Sequence, residues 1–527
     1  MFNCLWILLA VNVGAMAMVI PNTAATRNIH FNNAGDSPSP PEVTNAIFQH
    51  ITLEAQVGGY RAAQLVSVDR VYASAAQLIG AGVSDNGGNK VDVVKKYNAR
   101  DEIALVESAT VGWTRFFYAA LETKERQLVI RSKKKDEKSS SMEKEELIIL
   151  VSEAEYAANL VAAVKYARDH SAENSRFRWR VFPIPSSTIE NKGGTLVRSG
   201  VVDLDAFQSM LNGTYAMGDS EKQYLDPDSI AMVCITHIPT NAGIINPVNE
   251  IGNMIHDFNS REEASAKLND ETLPQIIYLV DACQSVGQIS VNAMDMKCHA
   301  LAATGRKYLR GPRGTGFLYV QYRIANMLEP SHVDHAAAPV VKVMERQSAS
   351  SSLHGLEEES EFGLCHAYLP GAARFEFWEA NVATRLGLGA AIDVSLALGM
   401  TAIERKCALL GGLLRQRLGM VEGVNVYHDT ACACGIVTFH LDRNMDAITI
   451  KEMMQNGLQE EGLDGVSDHT SLCCFHLSVV PATSTPLDSS RTGLGERSLL
   501  RASVSYFNTE DEIKMFCKAL KTVCKRA

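Results

Sequence analysis

Proline is scarce in this chain, at 16 of 527 residues, and aromatic side chains account for only 7%. With 46% apolar residues and no glycine periodicity, a collagen repeat and a disordered chain are excluded. The 12 cysteines are scattered, so no disulfide framework is expected, and most read as small buried hydrophobes. No basic run has nucleic-acid length, and 50 Lys and Arg against 60 Asp and Glu leave a net charge of −10. A nucleic-acid partner is therefore not expected. Repeats of solenoid or propeller period are also missing. Length alone fits roughly three domains of about 150 residues, and a chain this long buries a core without staples.

Long apolar runs are nearly absent as well. The one at the start, Leu5 to Ile20 (LWILLAVNVGAMAMVI), is interrupted by Asn12 and Gly14 and is too short for a confident membrane span. Ala15-Met16-Ala17 resembles a signal-peptidase site, yet no Lys or Arg precedes Arg27. Residues 1–28 thus read as a secretory or organellar leader or, alternatively, as the uncleaved apolar N-terminus of a cytoplasmic protein. No membrane partner is expected beyond this leader. Asn212-Gly213-Thr214 is the single glycosylation sequon.

Two charged, serine-rich stretches, Arg131 to Glu146 and Glu345 to Glu361, read as surface insertions. Around them, short apolar runs alternate with helical patterns. Ile103 to Val106 and Ile148 to Val151 predict strands, followed by helices over Thr110 to Leu121 and Glu153 to Ala167. Ile230 to Ile238 and Ile276 to Asp281 are continuous apolar runs, as expected of strands buried on both faces. Gly316 to Val320 follows a glycine-rich turn. Strand then helix, repeated, implies a mostly parallel sheet covered by helices, an α/β fold with ligands beyond the carboxyl ends of the strands.

The polar residues at those strand ends form a coherent set. Glu107-Ser108-Ala109-Thr110 opens a helix whose free N–H groups favour an anion such as phosphate. Thr236-His237-Ile238-Pro239-Thr240-Asn241, Asp281-Ala282-Cys283-Gln284 and Thr304-Gly305-Arg306-Lys307 end the next runs. A carboxylate and a downstream lysine flanked by phosphate-binding groups suit pyridoxal phosphate, which needs a Schiff-base lysine, an acid at its ring nitrogen and a phosphate cup. A surface loop for Arg306-Lys307, a helix cap for Asp281 and a core aromatic for Tyr156 are the structural alternatives. Cys432, Cys434, Cys473 and Cys474 with His469 and His476 match no common zinc spacing, and no metal is expected.

From about residue 29 to 520 the sequence resembles the class V aminotransferase family of fold-type I pyridoxal-phosphate enzymes, which includes cysteine desulfurases and selenocysteine lyases. The resemblance rests on Phe31-Asn32-Asn33-Ala34-Gly35, on Asp281 through Lys307, and on Arg501-Ala502-Ser503 with Tyr506-Phe507-Asn508-Thr509-Glu510. It implies a large cofactor domain over about 41–390 and a smaller α+β domain built from 29–40 and 391–527. It assigns Lys307 as the lysine carrying the cofactor, Asp281 as the partner of the ring nitrogen and Tyr156 as the stacking group. Ser108, Ala109, Thr110, Thr240, Gln284, Thr304 and Arg306 complete the cofactor site, with Asn33, Ala34, Asn241 and Arg501 around the substrate. The implied activity proceeds on a small amino acid through an external aldimine in a homodimeric enzyme, as a C–S lyase or an aminotransferase-like reaction. Cysteine desulfurase is the alternative, and a non-catalytic binding protein of the same fold is the alternative of another class.

Three departures qualify the resemblance. Desulfurases of the closer group carry a mobile cysteine ahead of the closing arginine, whereas Ser478 to Asp488 (SVVPATSTPLD) has none. Phe375-Glu376-Phe377-Trp378-Glu379 replaces a segment whose threonine reaches the partner subunit's phosphate, although Gly387-Leu388-Gly389 still resembles a dimer-contact helix. Tyr156 stands where desulfurases have a histidine.

Overall fold

The computed structural model describes residues 26–82, 98–135, 144–190, 196–217, 224–241, 243–266, 272–342, 364–427, 434–442, 446–456, 458–459, 472–481, 487 and 498–526. The apolar runs become the central sheet: β1 (Ile103–Val106), β2 (Glu145–Ser152), β3 (Phe177–Ile184), β4 (Ile230–Thr236), β5 (Ile277–Asp281), β6 (Ala300–Thr304) and β7 (Gly316–Val320). Their spatial order is β1-β7-β6-β5-β4-β2-β3. Pairing along β6-β5-β4-β2-β3 is parallel, and only β7 runs against both its neighbours, β1 and β6. Strands β1, β4, β5, β6 and β7 are buried along their whole length, which is why they are apolar without alternation.

Alternate residues feed two cores. On one face Leu105, Ile148, Val233, Val280 and Leu301 pack with helix Asp69–Leu78 and with the helices that begin at Val248 and Val382. On the other, Val106, Ile149, Cys234, Leu279 and Ala302 meet Trp113, Phe116 and Phe117 of one helix and Tyr166 of another. We number the helices used below α1 (Pro41–Val57), α2 (Ala109–Lys135), α3 (Ala157–His170), α4 (Val248–Ala266), α5 (Val382–Leu398), α6 (Met400–Leu418) and α7 (Glu510–Arg526).

A separate apolar cluster gathers Ile29, Phe31, Leu414, Phe439, Phe475, Leu500 and Phe516. It lies among α6, α7 and an antiparallel sheet of β8 (Val424–Val426), β9 (Ile436–Leu441), β10 (Ser478–Pro481) and β11 (Ser498–Ser503), ordered β8-β9-β11-β10. The N-terminal strand Thr26–His30 joins this region by parallel pairing with Leu472–His476. Strand pairing therefore starts inside the span read as a leader; residues 1–25 lie outside the described residues. Among the described residues no single helix is long and apolar enough to cross a membrane.

Several local expectations shift. Helix α2 continues through Lys135 into the first charged stretch, because lysine and arginine are good helix formers. Residues 136–143 and all of Glu345 to Glu361 lie outside the described residues. The helix expected from Glu153 starts at Ala157, since Ser152 to Tyr156 form a turn held by the Glu155 carboxylate. Gly387 and Gly389 are buried against the same chain: a Cβ there would meet Ile47 of α1 or Val71 at 2.8 Å. That pattern serves packing within the chain. Cys434, Cys473 and Cys474 are buried, whereas Cys432 and His469 lie outside the described residues.

Two buried histidines make the fold acid-sensitive. Burial pushes His237 down to about 4 and His299 to about 3. The His299 Nδ1 accepts the Tyr278 N–H at 2.8 Å, so its neutral form is built into the sheet. Unfolding lets both bind protons near their ordinary value of 6.5, so the stability they confer is complete above that pH and shrinks below it. Each should remove about 2 kcal/mol between pH 7 and pH 5. Urea midpoints at the two pH values, compared between the unaltered chain and His299→Gln, check this: the pH slope should become shallower in the variant.

Candidate active site

Strand ends build the site. Ser108 follows the end of β1 and its Oγ accepts the Val111 N–H at 3.2 Å, starting α2. Tyr156 is the residue before α3, Thr236 ends β4, Asp281 ends β5 and Thr304 ends β6. Together Ser108, Ala109, Thr110, Tyr156, Thr240, Asp281, Gln284, Thr304, Arg306 and Lys307 line one cleft, joined by Thr236, Ile238 and Cys283. Its empty volume, including the mouth, is about 490 Å³. The chain can approach this closely only because Gly316 lacks a side chain; a Cβ there would lie 2.4 Å from the Ala303 carbonyl oxygen.

Lys307 is 9% exposed, and burial lowers its pKa, with Arg306 and Arg501 acting the same way and Cys283 and Asp281 opposing. A neutral amine, the form needed to attack a carbonyl, is thereby favoured. Asp281 is held at both oxygens: Oδ1 accepts the Cys283 N–H at 2.9 Å and Oδ2 accepts the Asn159 Nδ2 at 3.0 Å. Gln284 donates through Nε2 to Thr240 Oγ1 at 2.8 Å and to the Ala34 carbonyl at 2.9 Å, while its buried Oε1 has no partner. Tyr156, 39% exposed, forms a wall of the cleft, and burial raises its phenol pKa.

Arg501 lies on β11 and reaches across to this rim. Its Nη1 donates to Thr240 Oγ1 at 2.7 Å and to the Thr240 carbonyl at 3.2 Å, and Nη2 donates to Asn32 Oδ1 at 3.3 Å. It is 5% exposed, its buried Nε has no partner, and burial with nearby Arg306 lowers its pKa to about 10. Among the described residues no carboxylate forms an ion pair with it. A buried cation without an anion is costly unless a ligand supplies one.

The structure separates the expected residues into two groups. The cofactor set converges on the cleft, but Asn33 points away: its Nδ2 donates to the Ser503 carbonyl at 2.7 Å and its Oδ1 accepts from Ser37 Oγ at 2.7 Å. Asn32, one residue earlier, is the one that meets Arg501. The chain turns here, with the Gly35 and Asp36 N–H groups donating to the Asn32 carbonyl, and two adjacent asparagines gave no sign of which faces the arginine. Ala34 contributes its carbonyl, and Asn241 is buried but does not line the cleft. Asn159, Glu155 and Cys283 escaped sequence reasoning; the one-turn spacing of Glu155 and Asn159 at the start of α3 was the available signal. Glu376 is engaged by Tyr72, the Leu105 N–H and Arg385, while Glu379 lines a different cleft with Glu107 and Gly314.

These residues fit pyridoxal phosphate. A helix N-terminus with Ser108, Thr304 and Arg306 suits a phosphate, and Asp281 suits a ring nitrogen. The unpartnered Gln284 Oε1 belongs to the same cleft as the buried amine of Lys307.

The model of the aminotransferase class-V family matches residues 195–516. A probable cysteine desulfurase of Methanothermobacter thermautotrophicus is 27% identical over 299 residues, 56% of this chain and 61% of the relative. A probable cysteine desulfurase of Halalkalibacterium halodurans is 26% identical over 312 residues, 59% of this chain and 62% of the relative. The match thus spans about three fifths of the length of these curated relatives. An apo cysteine desulfurase structure from Thermococcus onnurineus NA1 superposes with a TM-score of 0.64 at 18% identity, covering 95% of each chain. The cystine C–S lyase C-DES, in complex with cysteine persulfide, gives 0.60 at 15% identity, covering 93% of this chain and 97% of that one. These structural likenesses establish a shared fold. With the family match running from before β4 through β11 into α7, and with Asp281, Lys307 and Arg501 inside it, the chain belongs to the class-V aminotransferase family.

Proposed function

We propose that the protein is a pyridoxal-phosphate enzyme acting on a free amino acid, with C–S bond cleavage at Cβ as its leading reaction and amino transfer as the related one. The observation that carries this reading is the convergence of buried Lys307, Asp281 and Arg501 around one cleft. Pyridoxal phosphate, when bound, supplies an electron sink conjugated to the substrate's Cα. The chain's own groups do the rest. The start of α2, with Ser108 to Thr110, Thr304 and Arg306, binds the phosphate. Asp281 keeps a proton on the ring nitrogen, and Gln284 and Thr240 bound the ring's edge. Tyr156 covers one ring face. Lys307 would hold the cofactor through its buried amine, and the same amine would serve as the base for the Cα proton. Arg501 orients the α-carboxylate bidentately. Ala34 holds Gln284 through its carbonyl, and Asn33 acts by fixing the segment that carries Asn32.

A desulfurase reading draws on the names of the relatives. It requires a thiolate to accept sulfur, and among the described residues Cys283 is the cysteine lining the cleft. Burial, followed by Asp281, pushes its pKa up, which holds it protonated and weakly nucleophilic. Release of sulfur as sulfide therefore suits this cleft better than transfer to the protein. A non-catalytic role fits poorly with three buried charged groups that no structural ion pair among the described residues explains.

Incubating the pyridoxal-phosphate-loaded protein with cysteine, cystine and a panel of other amino acids discriminates these readings. Sulfide with pyruvate supports the lyase, and keto-acid-dependent product supports amino transfer. Alanine with protein-bound persulfide would move the assignment to a desulfurase. No visible band on loading and no product from any amino acid sinks the proposal. We also infer a homodimer, supported by the exposed apolar Phe48, Ile51, Val57, Tyr60 and Leu65 on residues 41–65 beside Trp378. Sedimentation at the mass of one 57.5 kDa chain would contradict it.

A further inference from the structure

Behind Asp281, away from the cleft, stands a second carboxylate that the proposed chemistry does not use. Glu155 is 0% exposed and accepts from donors on three elements. Its Oε2 takes Ser152 Oγ at 2.7 Å from the end of β2 and the Thr236 N–H at 3.0 Å from the end of β4. Its Oε1 takes the Tyr156 N–H at 3.1 Å, Thr236 Oγ1, and Asn159 Nδ2 at 2.9 Å from α3. Burial raises its pKa, with the bonds from Thr236, Asn159 and Ser152 opposing. The three N–H donors can only donate, so the site is built for the acceptor form of the carboxyl.

Asn159 is the joint. It is 2% exposed, and its Nδ2 donates both to Glu155 Oε1 and, at 3.0 Å, to Asp281 Oδ2. One amide group thus spends its two protons on two carboxylates. The flipped amide would aim its oxygen at both anions, so the pair of acids fixes the orientation of the asparagine. Asp281 in turn has Oδ1 anchored by the Cys283 N–H. The Asp281 carboxylate is consequently set in one plane from both ends.

We propose that Glu155 and Asn159 are positioning residues for the cofactor: Glu155 locks the Asn159 amide, and Asn159 locks the plane and charge of Asp281 toward the ring nitrogen. The same carboxylate fixes the backbone of Tyr156, so one buried acid orients both the nitrogen partner and a ring wall. This inference rests on the assignment of pyridoxal phosphate to the cleft. Its energetic basis is general: a buried hydrogen-bonded charge is strongly oriented in low dielectric, and removing one member leaves another unsatisfied.

The test is a double-mutant cycle of Glu155→Gln and Asn159→Ala, read by pyridoxal-phosphate affinity and by the visible circular dichroism of the bound cofactor. Each single variant should weaken affinity about 10-fold or more and shift or shrink the dichroic band. The losses should be less than additive, because part of the effect of Glu155 runs through that amide and the rest through the Tyr156 backbone. Affinity and dichroism unchanged in Asn159→Ala overturn the proposal, and so do fully additive losses in the cycle. If Glu155→Gln fails to fold, Asn159→Ala and Asn159→Asp still decide: the added carboxylate should cost more affinity than the alanine, and equal affinities overturn the idea. An unaltered chain that takes up no pyridoxal phosphate refutes the proposed function itself, a result separate from any difference among variants.

Discussion

Lys307→Ala should abolish the visible absorbance of lysine-bound pyridoxal phosphate and cut turnover at least about 1,000-fold. The size follows from losing two roles at once, the covalent carrier and the proton-transferring base, of which the second alone is typically worth about 100- to 10,000-fold. Lys307→Arg should fail just as badly, since a guanidinium keeps the charge but stays protonated and cannot attack a carbonyl. The fold should survive both. Lys307 is buried, and burial depresses its pKa, so the amine is a cost to the empty protein and not a support. Absorbance spectra, single-turnover rates and the thermal midpoint of the cofactor-free variants check the three statements. A variant that keeps both colour and rate would remove Lys307 from the chemistry.

Arg501→Ala should lower kcat/KM for amino acids about 100- to 1,000-fold, through losing a charge-assisted, two-point contact with the α-carboxylate. Amino compounds without a carboxylate should be almost indifferent to the change, which separates substrate recognition from general damage. Stability should move the other way or stay still. The guanidinium is 5% exposed, has an unpartnered Nε and forms no ion pair among the described residues, so deleting it relieves a desolvated charge. The counterweight is Asn32, Ser478 and Thr240, which lose a donor on the same edge. Steady-state kinetics on paired substrates, with chemical denaturation of the empty protein, measure both sides. Equal losses on carboxylate and non-carboxylate substrates would exclude the assigned role.

How much of this was legible in the sequence varied with the physics involved. Ile103 to Val106, Ile230 to Thr236 and Ile277 to Asp281 announced themselves because strands buried on both faces need uninterrupted apolar residues. The polar residues at their ends followed, since ligands gather where such strands end, while the role of each toward a cofactor came from the family resemblance. Where a long-range contact decided the role, the sequence was silent. Asn32 and Asn33 are adjacent where the chain enters a turn, and only the contact with Arg501 from β11 selects between them. Glu155 looked like one of several charges near Tyr156; only the meeting of β2, β4 and α3 reveals it as a buried hub. Gly387 and Gly389, in a segment that resembles a dimer-contact helix, are packed against Ile47 and Val71 of the same chain, contacts that only the fold reveals.

The N-terminal segment has one more consequence, for assembly of the molecule over time. Asn33 and Ser503, hydrogen-bonded to each other, are 470 residues apart in the chain, and Asn32 and Arg501 are separated by 469. The residues that complete the rim of the cleft are thus among the first and the last of the described chain to be synthesised. Contacts of such sequence separation form late, because the loop between them must be closed before they are gained. The central sheet can condense while the ribosome is still at work, but its cleft stays open-rimmed until β11 arrives. An amino acid that needs Arg501 for its α-carboxylate would therefore engage only chains on which β11 has already docked.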